Sequence, residues 1–253
     1  MANLSVRWGE AKPVLDRVDL AVAPGERLVV VGPSGAGKST ILRLLAGLLL
    51  PSSGHLNLYG IRQGYLRLDQ RRPPDVRLVF QNPALLGSLT VRENVGFLLY
   101  RYGRLGEPLI RERVTTALNA VGLYGVEEQL PGELSGGMQK RVSFARALIN
   151  DPGQQDDQMP LLLFDEPTAG LDPMACTRIE DLIVRTTQVA QATSVIVSHV
   201  HSTIERAAER IVLLYDGKFR WSGTVEDYRS SKDPYVTQFR SGSLRGPMQP
   251  ADL

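Results

Sequence analysis

The chain has 253 residues, of which 43% are hydrophobic and 22% charged, an ordinary globular composition that allows one large core. Its 29 basic and 27 acidic residues give a formal net charge of +2 without a long like-charge block, which argues against a dedicated nucleic-acid binder. The single cysteine, Cys176, excludes an internal disulfide and favours a reducing compartment. The sequence has no signal-like segment and no apolar run long enough to span a bilayer, so we expect any membrane anchor to come from another chain.

Segments with half-alternating hydrophobicity near the N-terminus predict an antiparallel β-layer. They cover residues 3–8, 18–22 and 56–59. Pro24-Gly25 and Ser53-Gly54 supply turn signals beside them. We therefore expect this layer to lie next to a separate core sheet.

Short apolar runs without alternation predict strands that are covered by helices on both faces. These runs are residues 27–31, 161–164 and 194–197. Each of them ends at polar residues. Because ligands in α/β proteins bind at the carboxyl ends of parallel strands, we expect the functional site at that edge of the sheet.

The stretch from about residue 90 to residue 150 has a helical pattern and predicts a helical subdomain inserted between two core strands. Its candidate helices cover residues 90–102, 108–121 and 135–149. A further helix is expected after Asp172-Pro173, where Asp caps and Pro suits the first turn. Another is expected after Ser202, whose spacing to Glu205 fits a capping box. A hairpin is predicted near the C-terminus from residues 211–214, Asp216-Gly217 and residues 219–221.

A phosphate-binding pattern, G-x-x-x-x-G-K-[ST], lies directly after the first apolar run and before an amphipathic helix. Its glycines let backbone N–H groups close around phosphates, and the helix N-terminus adds positive potential. Lys38 is predicted to reach the β and γ phosphates, and Ser39 to ligate Mg²⁺. The flanking strand and helix disfavour the alternative of a glycine-rich turn with a stray lysine. The predicted nucleotide-binding residues here are Gly32, Pro33, Ser34, Gly35, Ala36, Gly37, Lys38, Ser39 and Thr40.

An acidic pair, Asp165-Glu166, follows the apolar run at residues 161–164. Asp165 is predicted to hold the hydration shell of Mg²⁺, and Glu166 to polarise an attacking water as general base. An acidic cap on a purely structural strand has the same appearance. The phosphate loop upstream favours the catalytic interpretation.

Ser135, Gly136 and Gly137 open the last predicted helix of the subdomain. A hydroxyl beside bare N–H groups at a helix N-terminus forms an anion-binding nest. Because the chain already has one complete phosphate cradle, a second nest suggests a nucleotide contact supplied across a dimer. Taken alone, Ser-Gly-Gly is more often a simple turn or helix start.

Residues 134–139 resemble the signature motif of the ABC ATPases. The resemblance implies an α/β fold, in which a P-loop NTPase core of mainly parallel sheet carries an antiparallel β-layer and an inserted helical subdomain. It also implies ATP and Mg²⁺ as cofactors. The matching motifs span most of the chain and follow the order of the family: the phosphate loop, Gln81, the signature, Asp165-Glu166, residues 169–172 and His199.

The resemblance also implies roles for individual residues. Gln81 resembles the Q-loop glutamine, which senses the γ-phosphate and Mg²⁺ and couples to the membrane partner. His199 resembles the switch histidine, and Asp172 ends a segment that resembles the D-loop at the dimer interface. Trp8 stands where an aromatic residue of the family, commonly tyrosine, stacks on adenine. The implied signature contacts are Ser135, Gly136, Gly137 and Gln139, and the implied Mg²⁺ ligands are Ser39, Gln81 and Asp165.

Structural interpretations stay open for some of these residues. A lone glutamine such as Gln81 is normally solvated, and a lone histidine is normally structural. His201 is a competing candidate for the switch histidine. Cys176 is interpreted as a small residue that packs its helix.

Residues 79–95 are similar to the Q-loop region of the Mla/Mce-type lipid transport ATPases. In this group the apolar Leu85 and Leu86 are expected to line the groove that receives the permease. The alternative is that both belong to the core of the helical subdomain.

Other segments look like the cyanobacterial and chloroplast branch of this group, the trigalactosyldiacylglycerol-transport ATPases. They are the insertion at residues 151–159 and the segment 198–204. The tail at residues 239–247 also resembles that branch, in which it extends toward partner subunits. A disordered tail has the same composition.

We therefore expect an ABC ATPase domain over residues 1–240, with its helical subdomain at about residues 88–150, and a C-terminal tail over residues 241–253. As a homodimer it is expected to drive lipid transport between membranes, together with a multispanning permease and an Mce-domain lipid-binding protein. Its expected place is the cytoplasmic face of the inner membrane, without a nucleic-acid partner. The alternatives are a transporter ATPase for another solute and a soluble ABC machine that acts on nucleic acid.

Overall fold

The computed structural model describes residues 1–71, 73–149 and 159–249, and its centre is a six-stranded sheet. The strand order in this sheet is β11-β10-β3-β9-β8-β7. A smaller three-stranded sheet has the order β2-β1-β4. The strands are β1 (Ala2–Val6), β2 (Leu15–Val18), β3 (Arg27–Val31), β4 (Ser53–His55), β5 (Asn57–Leu58), β6 (Ile61–Arg62), β7 (Val76–Val79), β8 (Leu161–Asp165), β9 (Thr193–Val197), β10 (Arg210–Tyr215) and β11 (Lys218–Thr224).

The predicted core strands are confirmed as parallel neighbours: β3 pairs with β9, and β9 pairs with β8. Their side chains are buried on both faces. In β3, Leu28 and Val30 belong to one apolar cluster, whereas Val29 and Val31 belong to the other. This burial explains why these strands lack the polar alternation of a half-exposed sheet.

The sequence did not predict β7, which pairs in parallel with β8. Arg77 interrupts its apolar run, yet this arginine is buried. Its guanidinium lies 2.9 Å from Asp75 Oδ1 and donates to Ala147 O at 2.9 Å. A buried cation with a carboxylate and a carbonyl partner is compatible with a core strand.

The antiparallel layer is confirmed, but its strand bounds differ from the predicted ones. The segment predicted at residues 18–22 forms a strand at Leu15–Val18, because its pairing with β1 joins Leu4 to Val18 and Val6 to Leu15. The predicted strand at residues 3–8 ends at Val6. The one predicted at residues 56–59 is the two-residue β5, which pairs with β6.

Four helices lie between β7 and β8 among the described residues. The helix predicted at residues 90–102 is two helices that meet at Gly96, the C-cap of the first and the N-cap of the second. The helices predicted at residues 108–121 and 135–149 are confirmed to within two residues. These elements are α2 (Val91–Val95), α3 (Phe97–Tyr102), α4 (Glu107–Ala120) and α5 (Gly136–Leu148), and they follow α1 (Lys38–Leu45) in the chain.

Two helices in the C-terminal half test the predicted caps. Asp172 caps α6 (Pro173–Val189) as predicted, accepting from the backbone N–H groups of Met174 and Ala175. The capping box predicted at Ser202 is wrong, since α7 (His201–Ala207) has Val200 as its N-cap. The Ser202 hydroxyl donates instead to Glu180 on α6, and this tertiary partner outcompetes the local one.

The predicted hairpin is confirmed as β10 and β11, and α8 (Val225–Ser230) and α9 (Pro234–Ser241) follow it. The tail folds back on α9 as far as residue 249. The amide of Gln238 donates to Met248 O at 2.7 Å and accepts from Met248 N at 2.7 Å. A disordered tail is therefore a wrong interpretation of these residues, and residues 250–253 lie outside the described part.

Over the described ranges, no helix combines the length and the apolar character that a membrane crossing requires. Leu85 packs against the larger core cluster, whereas Leu86 is 46% exposed. The core alternative thus holds for Leu85 only. The insertion predicted at residues 151–159 lies outside the described residues except for Met159, and so does residue 150.

Candidate nucleotide site

The phosphate loop joins the carboxyl end of β3 to α1. A side chain at Gly32 would place its Cβ 2.2 Å from Leu214 O, so only glycine fits this close approach to β10. Gly37 has a φ of 101° and lies against Val14, at the end of the β1–β2 connection. The phosphate loop is therefore held on one side by β10 and on the other by Val14. A side chain at Gly32 or Gly37 would collide with these neighbours.

Lys38 is buried inside this loop. Its ammonium donates to Gly32 O at 2.8 Å and to Pro33 O at 3.0 Å, and it lies 3.8 Å from Glu166 Oε1. Burial lowers the pKa of Lys38, and the charges of Glu166 and Asp165 oppose that shift. The cation thus faces the interior of the loop, where a phosphate would compete for it.

The acidic pair lies across from the phosphate loop. Ser39 Oγ donates to Asp165 Oδ1 at 3.2 Å. Glu166 has a φ of 46°, and its backbone N–H donates to Val197 O at 3.0 Å. A left-handed non-glycine residue is costly to hold and is concentrated at functional sites.

Glu166 Oε2 is buried without a hydrogen-bond partner. His199 Nδ1 lies 2.9 Å from this oxygen. Buried carboxylate oxygens normally have a donor. A water or a bound ligand would supply one here, so the unpaired oxygen fits a site built to hold an attacking water.

The donor set also fits Mg²⁺, which takes oxygen ligands from one or two carboxylates and from substrate phosphates. A hydroxyl and a carboxylate, Ser39 and Asp165, already face each other. Among the described residues no group of three or more His, Cys, Asp or Glu side chains could bind a metal without such help. The arrangement therefore suits a cation that arrives with a nucleotide.

Asp165→Asn is expected to stabilise the nucleotide-free protein. Burial raises the pKa of Asp165, the hydrogen bond from Ser39 opposes this shift, and the charge of Glu166 adds to it. A raised carboxyl pKa means that the folded state holds the proton more tightly, so stability is lost as the pH rises through the folded pKa. We expect the amide to raise the free energy of unfolding at neutral pH, as measured by urea denaturation.

The pH dependence checks the cause of this effect. The increase in the free energy of unfolding should shrink as the pH is lowered, because Asp165 is then protonated and carries no buried charge in the wild-type protein. Asp69→Asn, at an exposed carboxylate, is the matched control and should change little. An equal gain at acidic and neutral pH would contradict the electrostatic explanation.

The two histidines face different neighbours. His199 is 58% exposed at its side chain and lies at Glu166. His201 Nδ1 lies 3.4 Å from the Tyr228 hydroxyl, and its ring packs edge-on against Phe239. The position of His199 agrees with the switch interpretation, and that of His201 does not.

Ser135, Gly136 and Gly137 lie on exposed surface at the start of α5. The Ser135 hydroxyl accepts from Met138 N at 3.3 Å, and a Cβ on either glycine would meet nothing within 4 Å. Gln139 donates to Pro131 O and Leu134 O of its own chain. We call Lys38, Ser39, Asp165, Glu166 and His199 the phosphate-loop cluster. Among the described residues, no hydrogen bond or ion pair joins the nest to this cluster.

The remaining predicted site residues are exposed, and among the described residues no hydrogen bond or ion pair joins them to Lys38, Asp165 or Glu166. Gln81 follows β7 at the same sheet edge and is exposed. Trp8, in the β1–β2 connection that ends at Val14 beside Gly37, is 53% exposed. Asp172 is exposed at the start of α6, and Cys176 is buried one turn later, as expected for a packing residue.

A polar network that the sequence did not predict supports the loop after Glu166. Glu180 is fully buried and accepts from Ser202 at 2.6 Å and from Thr203 at 2.9 Å. The Thr203 hydroxyl also shares a 2.8 Å hydrogen bond with Thr168. The position of Glu180 on a predicted helix gave no signal of this role, since a glutamate on a helix is usually solvated.

Glu180→Ala is expected to lower the free energy of unfolding by about 2–4 kcal/mol, because it removes the carboxylate that the buried Thr203 hydroxyl and the Arg206 guanidinium contact and opens a cavity. It should also slow ATP hydrolysis, since α7 begins two residues after His199. Guanidinium denaturation and an ATPase assay measure the two effects. Asp181→Ala, at a 71% exposed neighbour, is the control, and equal losses in both variants would contradict the prediction.

A phosphate loop, an acidic pair and a histidine at the carboxyl edge of one parallel sheet define a P-loop nucleoside triphosphatase. The family model described as ABC transporter matches residues 15–169. The chain belongs to the ABC transporter family and is an ATPase of that family.

Known proteins are similar over nearly the whole chain. The Arabidopsis thaliana protein TRIGALACTOSYLDIACYLGLYCEROL 3, chloroplastic, is 46% identical over 96% of this chain and 73% of its own length. The intermembrane phospholipid transport system ATP-binding protein MlaF of Haemophilus influenzae is 36% identical over 98% of this chain and 91% of its own length. A dimeric ATP-binding cassette in a post-hydrolysis state, bound to ADP and Pi, has a TM-score of 0.76 at 31% identity and covers 88% of this chain and 97% of that chain.

Proposed function

We propose that this ATPase works as half of a nucleotide-sandwich dimer, in which the phosphate loop of one chain and the signature of its partner enclose each ATP. The observation that carries the proposal is the separation of two anion-binding elements. Lys38 lies within the phosphate-loop cluster, whereas Ser135, Gly136 and Gly137 face outward with room for a ligand. The dimeric state of a related cassette supports the same arrangement.

Within each site, catalysis is mainly positioning and electrostatics. Glu166 accepts a proton from the attacking water as the water approaches the γ-phosphate. His199, beside Glu166, donates to the γ-phosphate oxygens and keeps the carboxylate in place. Lys38 leaves the carbonyls of its own loop and binds the phosphates.

Other residues complete the proposed site. Ser39, Asp165 and Gln81 would hold Mg²⁺, which would supply positive charge at the phosphates. Trp8 stacks on the adenine ring from the β1–β2 connection. Asp172 lies at the dimer interface, and Gln139 holds the signature turn through its bonds to residues 131 and 134.

Complementation between two inactive variants tests the dimer. Lys38→Ala removes the phosphate contact, and Ser135→Arg fills the exposed nest of the signature. Each variant alone should hydrolyse ATP poorly, whereas their mixture contains heterodimers with one intact site and should regain activity. Full activity of Ser135→Arg by itself would contradict a shared site.

The chain is proposed to transmit ATP binding to a multispanning permease through the region after β7. Gln81 connects the nucleotide to this region. Apolar side chains remain exposed near it, with Phe80 at 40%, Leu86 at 46% and Phe97 at 41%. Exposed apolar surface of this kind is typical of a protein interface.

Lipid is the proposed cargo, carried between membranes together with an Mce-domain protein, and the chain is proposed to lie on the cytoplasmic face of the inner membrane. The support is the 46% identity to TRIGALACTOSYLDIACYLGLYCEROL 3 and the 36% identity to the phospholipid transport protein MlaF. A transporter for another solute shares the same ATPase motifs. It is the second candidate, and a nucleic-acid machine is the third.

Co-purification from native membranes in mild detergent tests the cargo. Mass spectrometry is expected to find a multispanning permease, an Mce-domain protein and enriched phospholipid or glycolipid. If a permease of a different type co-purifies, the ATPase assignment stands and the proposal of a lipid cargo is rejected. The absence of any membrane partner would favour the nucleic-acid alternative.

A further inference from the structure

Lys140 connects two segments of the chain that serve different nucleotides in the proposed dimer. It lies on α5, in the turn after the Ser135 cap. Its ammonium donates to Pro167 O at 3.0 Å and to Ala169 O at 3.2 Å. A single half-buried side chain thus links the signature helix to the loop that follows Glu166.

This loop is directly connected to the proposed general base. The backbone N–H of Ala169 donates to Glu166 O at 3.1 Å. Thr168, between the two carbonyls that Lys140 binds, is held by a 2.8 Å hydrogen bond with Thr203. A shift of Lys140 would therefore displace the loop against a fixed neighbour and alter the backbone at Glu166.

The environment of Lys140 is unusual for a purely structural contact. Burial lowers the pKa of its ammonium, with Cys176 acting in the opposite direction. Backbone carbonyls are its hydrogen-bond acceptors among the described residues, without a carboxylate. A desolvated cation without a counter-ion is costly, so packing alone does not explain the choice of lysine.

We infer that Lys140 is a positioning residue that couples the two ATP sites of the dimer. The inference rests on the proposed dimer, in which the signature of this chain binds the partner's nucleotide while Glu166 acts on its own. Docking of that signature moves α5, and Lys140 carries the movement to residues 167–169. One site is thus aligned for hydrolysis when the other is closed.

Lys140→Met tests the coupling because it keeps the length of the side chain and removes the ammonium. We expect kcat to fall about tenfold while KM for ATP stays within about threefold, since alignment is lost and the phosphate loop is intact. The Hill coefficient for ATP should fall from about 2 to about 1. Lys140→Arg, which retains a donor for two carbonyls, should restore most of the kcat and of the cooperativity.

Arg141→Met is the matched control. It removes a neighbouring cation of α5 whose partner is Gly122 O, away from the loop after Glu166. This variant should keep the wild-type Hill coefficient. Thermal unfolding and ATP binding of each variant separate a coupling defect from a folding defect.

Unchanged kcat and Hill coefficient in Lys140→Met would overturn the inference, and so would a wild-type protein that hydrolyses ATP without cooperativity. A failed Lys140→Arg rescue with normal ATP binding would also overturn it. Failure of the proposed dimer is distinguishable, because the Glu166→Gln variant would then stay monomeric with ATP, whether or not Lys140 couples the sites. If wild-type hydrolysis is cooperative and the Lys140→Met variant is unaffected, the proposed dimer stands and only the coupling role of Lys140 is rejected.

Discussion

Lys38→Ala is expected to abolish ATP binding. The buried ammonium supplies charge-assisted hydrogen bonds to the phosphates, each worth about 1.5–3 kcal/mol. Losing two of them raises the dissociation constant at least about 100-fold, beyond the usual range of a titration. Isothermal titration calorimetry with ATP and Mg²⁺ measures the effect directly.

The control for this variant is Lys218→Ala, since Lys218 is a half-exposed lysine that pairs with Asp16. It should bind ATP as the wild-type protein does. Circular dichroism establishes that Lys38→Ala is folded before binding is compared. Normal affinity in a folded Lys38→Ala variant would contradict the assignment of the phosphate loop.

Glu166→Gln is expected to bind ATP normally and to lose hydrolysis by about 10²–10⁴-fold, because an amide cannot accept the proton of the attacking water. The substitution keeps the shape of the side chain beside Lys38 and His199. ATP then persists, and the closed dimer accumulates. Single-turnover hydrolysis and light scattering coupled to size exclusion measure the two consequences.

The matched control is Glu112→Gln, at an exposed glutamate of α4. Neither turnover nor the oligomeric state should change in it. A Glu166→Gln variant with undiminished turnover would refute the role of general base. If the Glu166→Gln variant is inactive but stays monomeric with ATP, Glu166 keeps its proposed catalytic role, and the proposed sandwich dimer is contradicted.

Much of the fold follows from local patterns. Residues 28–31 and 161–164 are apolar at every position, a pattern typical of strands in a doubly covered parallel sheet. The start of α6 is determined by Asp172 and Pro173, which act within one turn. The phosphate loop is equally local, because its glycines and its lysine act within eight consecutive residues.

Other elements depended on partners distant in the chain. The strand β7 contains Arg77, which is acceptable in the core only because Asp75 and Ala147 supply its partners. Ser202 fits a capping box with Glu205, yet Glu180 takes its hydroxyl. Asp75 is a local partner, but Ala147 lies 70 residues from Arg77 and Glu180 lies 22 residues from Ser202, so local rules failed at both places.

The sequence by itself determined the class of the protein, because the phosphate loop, the signature and the acidic pair are short segments whose chemistry depends on residue type and spacing. The tertiary structure decided which of these residues contact each other. It brought His199, and not His201, to Glu166, and it tied Lys140 to the loop beyond. The physical reason is that Lys140 lies 27 and 29 residues from its two partners, and such contacts arise only when helices that are separate in the sequence pack together.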